Sequence, residues 1–379
     1  MLRSSLLCET VQLAFDERLV ILNSAADPFV PEAALRLPMG ELVLAEDNVA
    51  ALQQARVAMQ RERAPASLSL RDIPFHEYTQ HASPATMDKA VLNTLYQPGK
   101  VWIEYALQLA AYALKPAGQL YVQGSKDRGI LTLAKHMSEL FGNVETLEIH
   151  KGERVVRSIY NPQTWRPIPA QWRPHRQKGH PTPPQWHPQG APLHFDAGSS
   201  AAMPVLTPFA EGKLDEGTRL LLEALEVHVT DEVLDIGSGA GHIGIDIAGR
   251  ATKGQVTMVD ASLAAVDATR RMIEQRGLTN ARVLASDGTQ AVREQRFDLV
   301  VTNPPFHIGG IQTTEIGHRF IREAAQVLRP RGRFYLVANR FLRYEPTLRE
   351  CFGLVEEVGG NTRFKVLRGM RGPETGYER

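Results

Sequence analysis

The chain has 379 residues and a formal net charge of +1, and 43% of its residues are hydrophobic while 22% are charged. These proportions are typical of soluble globular proteins and argue against wholesale disorder and against a membrane-embedded chain. The length predicts two domains of ordinary size. Because the two signs of charge nearly balance, any contact with nucleic acid must come from local patches.

Two cysteines, Cys8 and Cys351, are too few for a disulfide framework or a cysteine metal site, which predicts a reduced, cytoplasmic protein. The first apolar run ends before Glu9 and is too short for a secretory signal, and no stretch is apolar enough to span a membrane. No group of His, Cys, Asp and Glu has the spacing of metal ligands, so we predict no metal.

A stretch rich in proline and tryptophan, residues 161–195, contains no acidic residue. Prolines remove backbone donors and restrict their neighbours, so no helix is predicted there. The stretch interleaves tryptophans with arginines and histidines, and two interpretations stay open: a stiff linker, or a patch that contacts phosphates and bases. It divides the chain into predicted domains of residues 1–160 and 196–379.

The second domain alternates strand and helix signals from about Thr207 onwards. Short apolar runs at 233–236, 256–259 and 297–301 each precede a loop, and apolar residues at helical spacing between 313 and 328 precede a further strand at 333–337. Short buried strands that feed helices predict an α/β fold in which both faces of a parallel sheet are covered.

The sequence of the first domain shows a weaker form of the same strand and helix pattern. Residues 87–93 parallel 297–303, and residues 114–122 parallel 328–336, which indicates an internal duplication. The copy lacks a glycine loop, and Asn93 is followed by Thr-Leu-Tyr instead of two prolines and an aromatic residue. We therefore predict tandem Rossmann-like domains, of which the N-terminal one is degenerate and serves as a scaffold or in recognition.

A glycine-rich loop follows the first strand of the second domain. It reads Asp235-Ile236-Gly237-Ser238-Gly239-Ala240-Gly241, and its three glycines permit a tight turn and the close approach of a ligand. A dinucleotide site places a pyrophosphate on a helix N-terminus, and an aspartate would be poorly placed beside it. The same aspartate is well placed to bind the ammonium group of the methionine moiety of S-adenosylmethionine.

Two further aspartates follow the next two strands. Asp260, with the adjoining Ala261, is predicted to accept hydrogen bonds from both hydroxyls of a ribose. Asp287, with the adjoining Gly288, is predicted to accept from an adenine amino group, although an aspartate before glycine is also an ordinary turn signal.

The tetrapeptide Asn303-Pro304-Pro305-Phe306 follows the fourth strand, where parallel sheets present their ligands. The Asn303 side-chain oxygen and the Pro304 carbonyl are predicted to accept from one amino group, which directs its lone pair at the methyl donor. Phe306 offers a stacking face for a base. This pattern predicts methylation of an exocyclic amine.

With these motifs the sequence resembles the bacterial ribosomal RNA guanine-N2 methyltransferases, both the C-type enzymes that modify the small subunit and their large-subunit relative. The resemblance rests on residues 301–307, 337–344 and 362–366, extends over most of 205–370, and covers 85–135 more loosely. It implies an active C-terminal domain and an inactive N-terminal copy. It also implies that the loop at Phe209 closes over the cofactor.

The resemblance implies a cytoplasmic, monomeric enzyme that uses S-adenosylmethionine and acts on a guanine of ribosomal RNA, 16S rather than 23S, alone or in a ribosomal subunit. Two alternatives remain at this stage. The same amine geometry serves adenine N6 or a protein glutamine amide, and a vestigial catalytic domain would make the chain a non-catalytic RNA-binding or ribosome assembly factor.

Overall fold

The computed structural model describes residues 5–166, 214–305 and 314–373, together with the backbone of residues 307–308 and 311–312. By their contacts the described residues form two compact units. The first takes residues 5–46 and 54–166, and the second takes residues 47–53 and those from 214 onwards. Among the described residues, no helix is both long and apolar enough to cross a membrane.

The N-terminal part of the chain alternates strands and helices. In chain order its elements are α1 (Leu6–Thr10), β1 (Arg18–Leu22), α2 (Phe29–Arg36), β2 (Glu41–Glu46), α3 (Val49–Arg61), β3 (Ser69–Pro74), α4 (Tyr78–His81), β4 (Met87–Asn93), α5 (Lys100–Ala113), β5 (Leu114–Ser125), α6 (Ile130–Phe141), β6 (Glu145–His150) and β7 (Glu153–Ile159).

The C-terminal part repeats the alternation, with a short hairpin inserted after its fourth strand. Its elements are α7 (Glu216–Ala224), β8 (Val233–Ile236), α8 (His242–Arg250), β9 (Val256–Asp260), α9 (Leu263–Gln275), β10 (Ala281–Ala285), β11 (Phe297–Thr302), β12 (His307–Ile308), β13 (Ile311–Gln312), α10 (Glu315–Val327), β14 (Leu328–Asn339), α11 (Glu345–Cys351), β15 (Leu354–Gly360) and β16 (Phe364–Met370).

Each unit contains a seven-stranded sheet, and the two sheets have the same topology. The strand order is β3-β2-β1-β4-β5-β7-β6 in the first and β10-β9-β8-β11-β14-β16-β15 in the second. The first five strands of each order are parallel, whereas β7 and β16 run antiparallel to both of their neighbours. The predicted α/β class with tandem Rossmann-like domains is confirmed.

The duplication extends to an irregularity in β5 and β14. Pairing of each strand with its parallel neighbour breaks near its start, between Leu114 and Gln119 in β5 and between Leu328 and Arg333 in β14. Inside the break, one non-glycine residue takes the left-handed conformation, Ala117 in β5 and Arg331 in β14 with φ of 67° and 64°. Residues 329–332, which precede the strand predicted at 333–337, therefore belong to β14 and interrupt its register with β11.

A contact made by a partly buried aspartate is also repeated. At the start of β11, Asp298 accepts the backbone N–H of Glu232 at 2.9 Å, which joins β11 to the residue before β8. At the start of β4, Asp88 accepts the N–H of Arg18 at the same distance and so joins β4 to β1. Such shared geometry is expected of two copies of one ancestral unit.

Alternate residues of the strands supply two hydrophobic cores in the second unit. Leu299 and Val301 of β11 pack with residues of α7, α8 and α9 on one face of the sheet. Val300 packs with residues of α10 and α11 on the other face. Because both faces are covered, ligands can approach this sheet only at its edges and strand ends.

Candidate active site

Four parallel strands bring their carboxyl ends to one edge of the second sheet. The register pairs Ala285 of β10 with Asp260 of β9, and Ile236 of β8 with Thr302 of β11. Neighbouring strands lie about 4.8 Å apart, so the loops that follow them lie side by side. This edge therefore carries every predicted site residue that the structure describes: Asp235, Gly237, Gly239, Gly241, Asp260, Ala261, Asp287, Gly288, Asn303, Pro304 and Pro305.

The loop after β8 depends on its glycines. Gly237, Gly239 and Gly241 have φ angles of 72°, 54° and 81°, a region that residues with a Cβ adopt at a cost. A Cβ on Gly241 would also lie 2.8 Å from the methyl carbon of Thr269, whereas a Cβ on Gly239 would meet open space within 4 Å. The loop thus leaves room beside Gly239 for a ligand.

Asp235 lies beneath this loop and is fully buried. Its Oδ2 accepts the backbone N–H of Gly244 at 3.0 Å, whereas its Oδ1 is buried without a hydrogen-bond partner in the described part of the chain. Burial raises the pKa of this carboxyl to about 7; the Gly244 hydrogen bond opposes the rise and the nearby charge of Asp260 adds to it. A buried acceptor without a donor is costly and marks a place for a cationic or donor group.

Asp260 connects the ends of β8 and β9. Its Oδ2 accepts the N–H of Gly239 at 2.8 Å and its Oδ1 accepts the N–H of Ser262 at the same distance. Burial raises the pKa of its carboxyl, although these backbone N–H groups lower it. A carboxylate oxygen has more than one lone pair, so each oxygen can still accept a hydroxyl.

Asp287 is engaged differently from the simple acceptor that the sequence suggested. Its Oδ1 forms an ion pair with Arg319 of α10 at 2.5 Å. One helical turn further on, Glu323 accepts the N–H of Thr289 at 2.9 Å, so α10 holds the loop after β10 at two points. Gly288 has a φ of 56°, which favours glycine, and a Cβ there would also displace the carboxylate of Glu323.

Asn303 follows β11 and is half-buried, as is Pro305, while Pro304 is buried. The Asn303 Nδ2 donates to Thr218 Oγ1 at 3.0 Å and to Asp215 Oδ2 at 3.3 Å. Both acceptors lie at the N-terminus of α7. The side chain is therefore held through its nitrogen, and no donor among the residues that the structure describes contacts its Oδ1.

The sequence interpretation missed three of these residues, Asp215, Thr218 and Arg319. Asp215 precedes an amphipathic helix, and Thr218 comes three residues after Asp215, which is the spacing of an N-cap contact. The start of the helix was therefore predictable from the sequence. The contact between Thr218 and Asn303 was not predictable, because the two residues are 85 positions apart in the chain. Phe209, Phe306 and most of the 161–195 stretch lie outside the described residues.

The matching edge of the first sheet is filled by polar side chains. Asn93 at the end of β4 donates from Nδ2 to Asp27 Oδ2 at 2.7 Å, and Gln97 donates to the carbonyl oxygen of Asn23 at 2.8 Å. Each of these four residues is no more than 3% exposed. The first unit thus keeps the fold of the second, but polar side chains occupy the strand ends at which the second unit has its glycine loop.

The fold and this edge define the class of the protein. A glycine loop with a buried aspartate after the first strand, a second aspartate after the second strand and Asn-Pro-Pro after the fourth belong to S-adenosylmethionine-dependent methyltransferases. The family described as methyltransferase small domain matches residues 205–368.

The relatives narrow the class to one family. A ribosomal RNA small subunit methyltransferase C from Hahella chejuensis is 32% identical over 295 residues, which cover 78% of this chain and 81% of that protein. One from Shewanella pealeana is 29% identical over 97% of this chain and 98% of its own length. The chain belongs to the ribosomal RNA small subunit methyltransferase C family.

A solved structure agrees with this assignment. The T. thermophilus 16S rRNA N2 G1207 methyltransferase in complex with S-adenosylmethionine and guanosine matches with a TM-score of 0.71 and 28% identity, and the match covers 97% of this chain and 91% of that one. Of the two types that the sequence resembled, the small-subunit type is confirmed.

Proposed function

We propose that this protein transfers a methyl group from S-adenosylmethionine to the N2 amine of a guanine in 16S ribosomal RNA. The observation that carries the proposal is the amide of Asn303, held through its nitrogen beside the glycine loop and followed by two prolines. Membership of the small subunit methyltransferase C family supports the same reaction, as does the T. thermophilus relative described with S-adenosylmethionine and guanosine.

The residues at the strand ends fit S-adenosylmethionine. The unpartnered Oδ1 of Asp235 suits its ammonium group, and the two oxygens of Asp260 suit its ribose hydroxyls. Open space beside Gly239 leaves room for the methionine moiety. The rest of the proposed pocket comes from the other residues predicted from the sequence: Phe209, Gly237, Gly241, Ala261, Asp287, Gly288 and Asn303.

The chemistry required of the protein is the orientation of an amine. Bound S-adenosylmethionine supplies an electrophilic methyl group. The lone pair of guanine N2 is delocalised into the ring, and acceptance of its two hydrogens by Asn303 Oδ1 and the Pro304 carbonyl frees that lone pair for attack. The new N–C bond forms as the S–C bond breaks, and the amine then loses a proton to water. Pro305 stiffens the turn, and Phe306 is proposed to stack on the base.

The remaining assignments are part of the same proposal. The catalytic domain is residues 196–379, and residues 161–195 connect it to the degenerate domain of residues 1–160, which serves as a scaffold or in RNA recognition. The protein acts in the cytoplasm as a monomer. Its substrate is ribosomal RNA, free or within a ribosomal subunit.

Incubation with methyl-labelled S-adenosylmethionine, 16S RNA and isolated small subunits tests the proposal. We expect label in RNA, and digestion to nucleosides followed by mass spectrometry yields N2-methylguanosine. N6-methyladenosine, or label only in protein as methylglutamine, would support the alternative amines instead. Absence of both methyl transfer and S-adenosylmethionine binding would favour a non-catalytic RNA-binding or assembly factor.

A further inference from the structure

The hydrogen-bond partners of Asn303 indicate how its side chain is oriented. We infer that Asp215, Thr218 and Pro305 act as positioning residues that keep the Asn303 Oδ1 free and turned towards the substrate amine. Asp215 and Thr218 occupy the amide nitrogen, and Pro305 withholds the backbone donor that would otherwise capture the oxygen. This inference rests on the proposed function, because it concerns how the same amine is held.

The chemistry of the two partners fixes the orientation of the amide. Thr218 Oγ1 donates its only hydrogen to Asp215 Oδ2 at 2.6 Å, and a carboxylate can only accept. Both atoms that face the Asn303 side chain are therefore acceptors. A half-turn of the amide would place Oδ1 against these oxygens and lose two hydrogen bonds, so the nitrogen faces α7 and the oxygen faces away.

The two acceptors are themselves held firmly. Asp215 is the N-cap of α7, and its Oδ1 accepts the N–H of Thr218 at 2.9 Å. Thr218 is only 5% exposed. In the next position Glu216 accepts from Asn361 at 2.8 Å and from Arg363 at 3.0 Å, which ties the start of α7 to the turn before β16. The N-terminus of α7 is thus a fixed platform for the Asn303 amide.

The degenerate first unit shows what happens without the prolines. Asn93 stands at the matching strand end and also donates from Nδ2 to an aspartate, Asp27. Its Oδ1, however, accepts the backbone N–H of Leu95 at 2.9 Å, two residues further along the chain. This is the local turn that asparagine side chains commonly form. The oxygen that would serve as a catalytic acceptor is consumed there.

In the second unit the residue two positions after the asparagine is Pro305, which has no N–H. The local turn cannot form, and among the described residues no donor contacts Asn303 Oδ1. The second proline therefore has a role besides stiffening: it withholds the local backbone donor, so that the oxygen can accept from an amine. The two copies in one chain provide an internal comparison of the motif with and without this proline.

The inference is tested with five variants and the wild type. For each protein we measure kcat for guanine methylation and the Kd of S-adenosylmethionine. D215N keeps a good N-cap but offers Asn303 a donor, T218V removes the hydroxyl, and P305A restores an N–H at position 305. We expect each to lower kcat about tenfold or more, the effect of losing an aligned donor–acceptor contact, while the cofactor Kd stays within about twofold. T218S, which keeps the hydroxyl, recovers most of the loss seen in T218V.

T347V is the matched control. Thr347 is also 5% exposed and shares a hydroxyl hydrogen bond with His318 at 2.8 Å, but it lies on α11 rather than on α7. We expect its kcat to equal that of the wild type. Wild-type kcat in D215N and P305A would overturn the inference, as would equal losses in T218V and T347V.

A crystal structure of the P305A variant separates this inference from the proposed function. We expect Asn303 Oδ1 to accept the new N–H of residue 305, as Asn93 does from Leu95. An oxygen that stays free would overturn the inference whatever the substrate. A wild-type protein that never methylates guanine would instead contradict the proposed function and leave the structural comparison to decide the role of Pro305.

Discussion

Replacement of Asn303 with alanine is expected to lower kcat about 10²- to 10³-fold while the affinity for S-adenosylmethionine changes little, because the side chain acts on the amine in the transition state. Its Nδ2 contacts Thr218 and Asp215, and the loss of these contacts leaves only polar groups that water can reach. Single-turnover methylation of 16S RNA and calorimetric titration of the cofactor measure the two quantities.

Asn93→Ala is the control for this substitution, since the same residue type ends the matching strand of the degenerate unit. Asn93 donates to the buried Asp27, so its loss is expected to destabilise the fold by about 1–3 kcal/mol. The kcat of the remaining folded protein should be that of the wild type. An N303A variant that retains more than about a tenth of wild-type kcat would contradict the role of Asn303.

Asp235→Asn is expected to stabilise the protein and weaken cofactor binding at once. In the folded protein the pKa of this carboxyl is about 7 against an ordinary value of 3.8, mainly because of burial. A raised pKa means that the uncharged form is favoured by folding, so the wild type loses stability as the pH rises from about 4 to about 7. Above pH 7 the raised pKa corresponds to a loss of about 4 kcal/mol in the free energy of unfolding.

Asparagine stays neutral and its side-chain oxygen can still accept the N–H of Gly244. The free energy of unfolding of D235N should therefore exceed that of the wild type by up to about 4 kcal/mol at pH 8 and match it near pH 4. Denaturant unfolding across this pH range checks the result. Asp246→Asn, on the exposed face of α8, is the control and should leave the free energy of unfolding at pH 8 close to that of the wild type. A D235N variant less stable than the wild type at pH 8 would contradict the account.

The same variant should lose affinity for S-adenosylmethionine by about 10- to 100-fold, the worth of a hydrogen bond between charged groups. In the wild type the affinity should rise with pH until about 7, because the ammonium binds the ionised carboxylate. Calorimetry in buffers of different ionisation enthalpy should detect proton release on binding at pH 6. Equal affinity of wild type and D235N at pH 8 would argue against Asp235 as the ammonium site.

Short-range signals explain why much of the fold and site was predictable. The apolar runs at 233–236, 256–259 and 297–301 mark buried strands, and parallel strands bring their ends to one edge. The alternating glycines after β8, Gly237, Gly239 and Gly241, indicated a tight turn, and all three have positive φ angles. The repeat was readable because residues 87–93 kept the pattern of 297–303 even after the motif that follows them was lost.

Other features depend on tertiary contacts and left no local pattern. The pairing of Asp287 with Arg319 joins a loop to a helix 32 residues away, and an arginine on a helix face is ordinarily a solvated charge. The hold of Asp215 and Thr218 on Asn303 likewise joins segments far apart in sequence. For the edge of the first sheet the sequence indicated only that the glycine loop is missing. It did not predict the polar network there, because no local pattern indicates that Asn23, Asp27, Asn93 and Gln97 meet.

The proposed reaction of this chain is methylation of N2 of a guanine in 16S ribosomal RNA. The most direct test is to map modified nucleotides in ribosomal RNA from cells with and without this protein, and to repeat the mapping with cells that carry only the N303A variant. We expect one N2-methylguanosine in 16S RNA that is present only with the wild-type protein. Identical modification in all three strains, or loss of a methylated adenine instead, would contradict it.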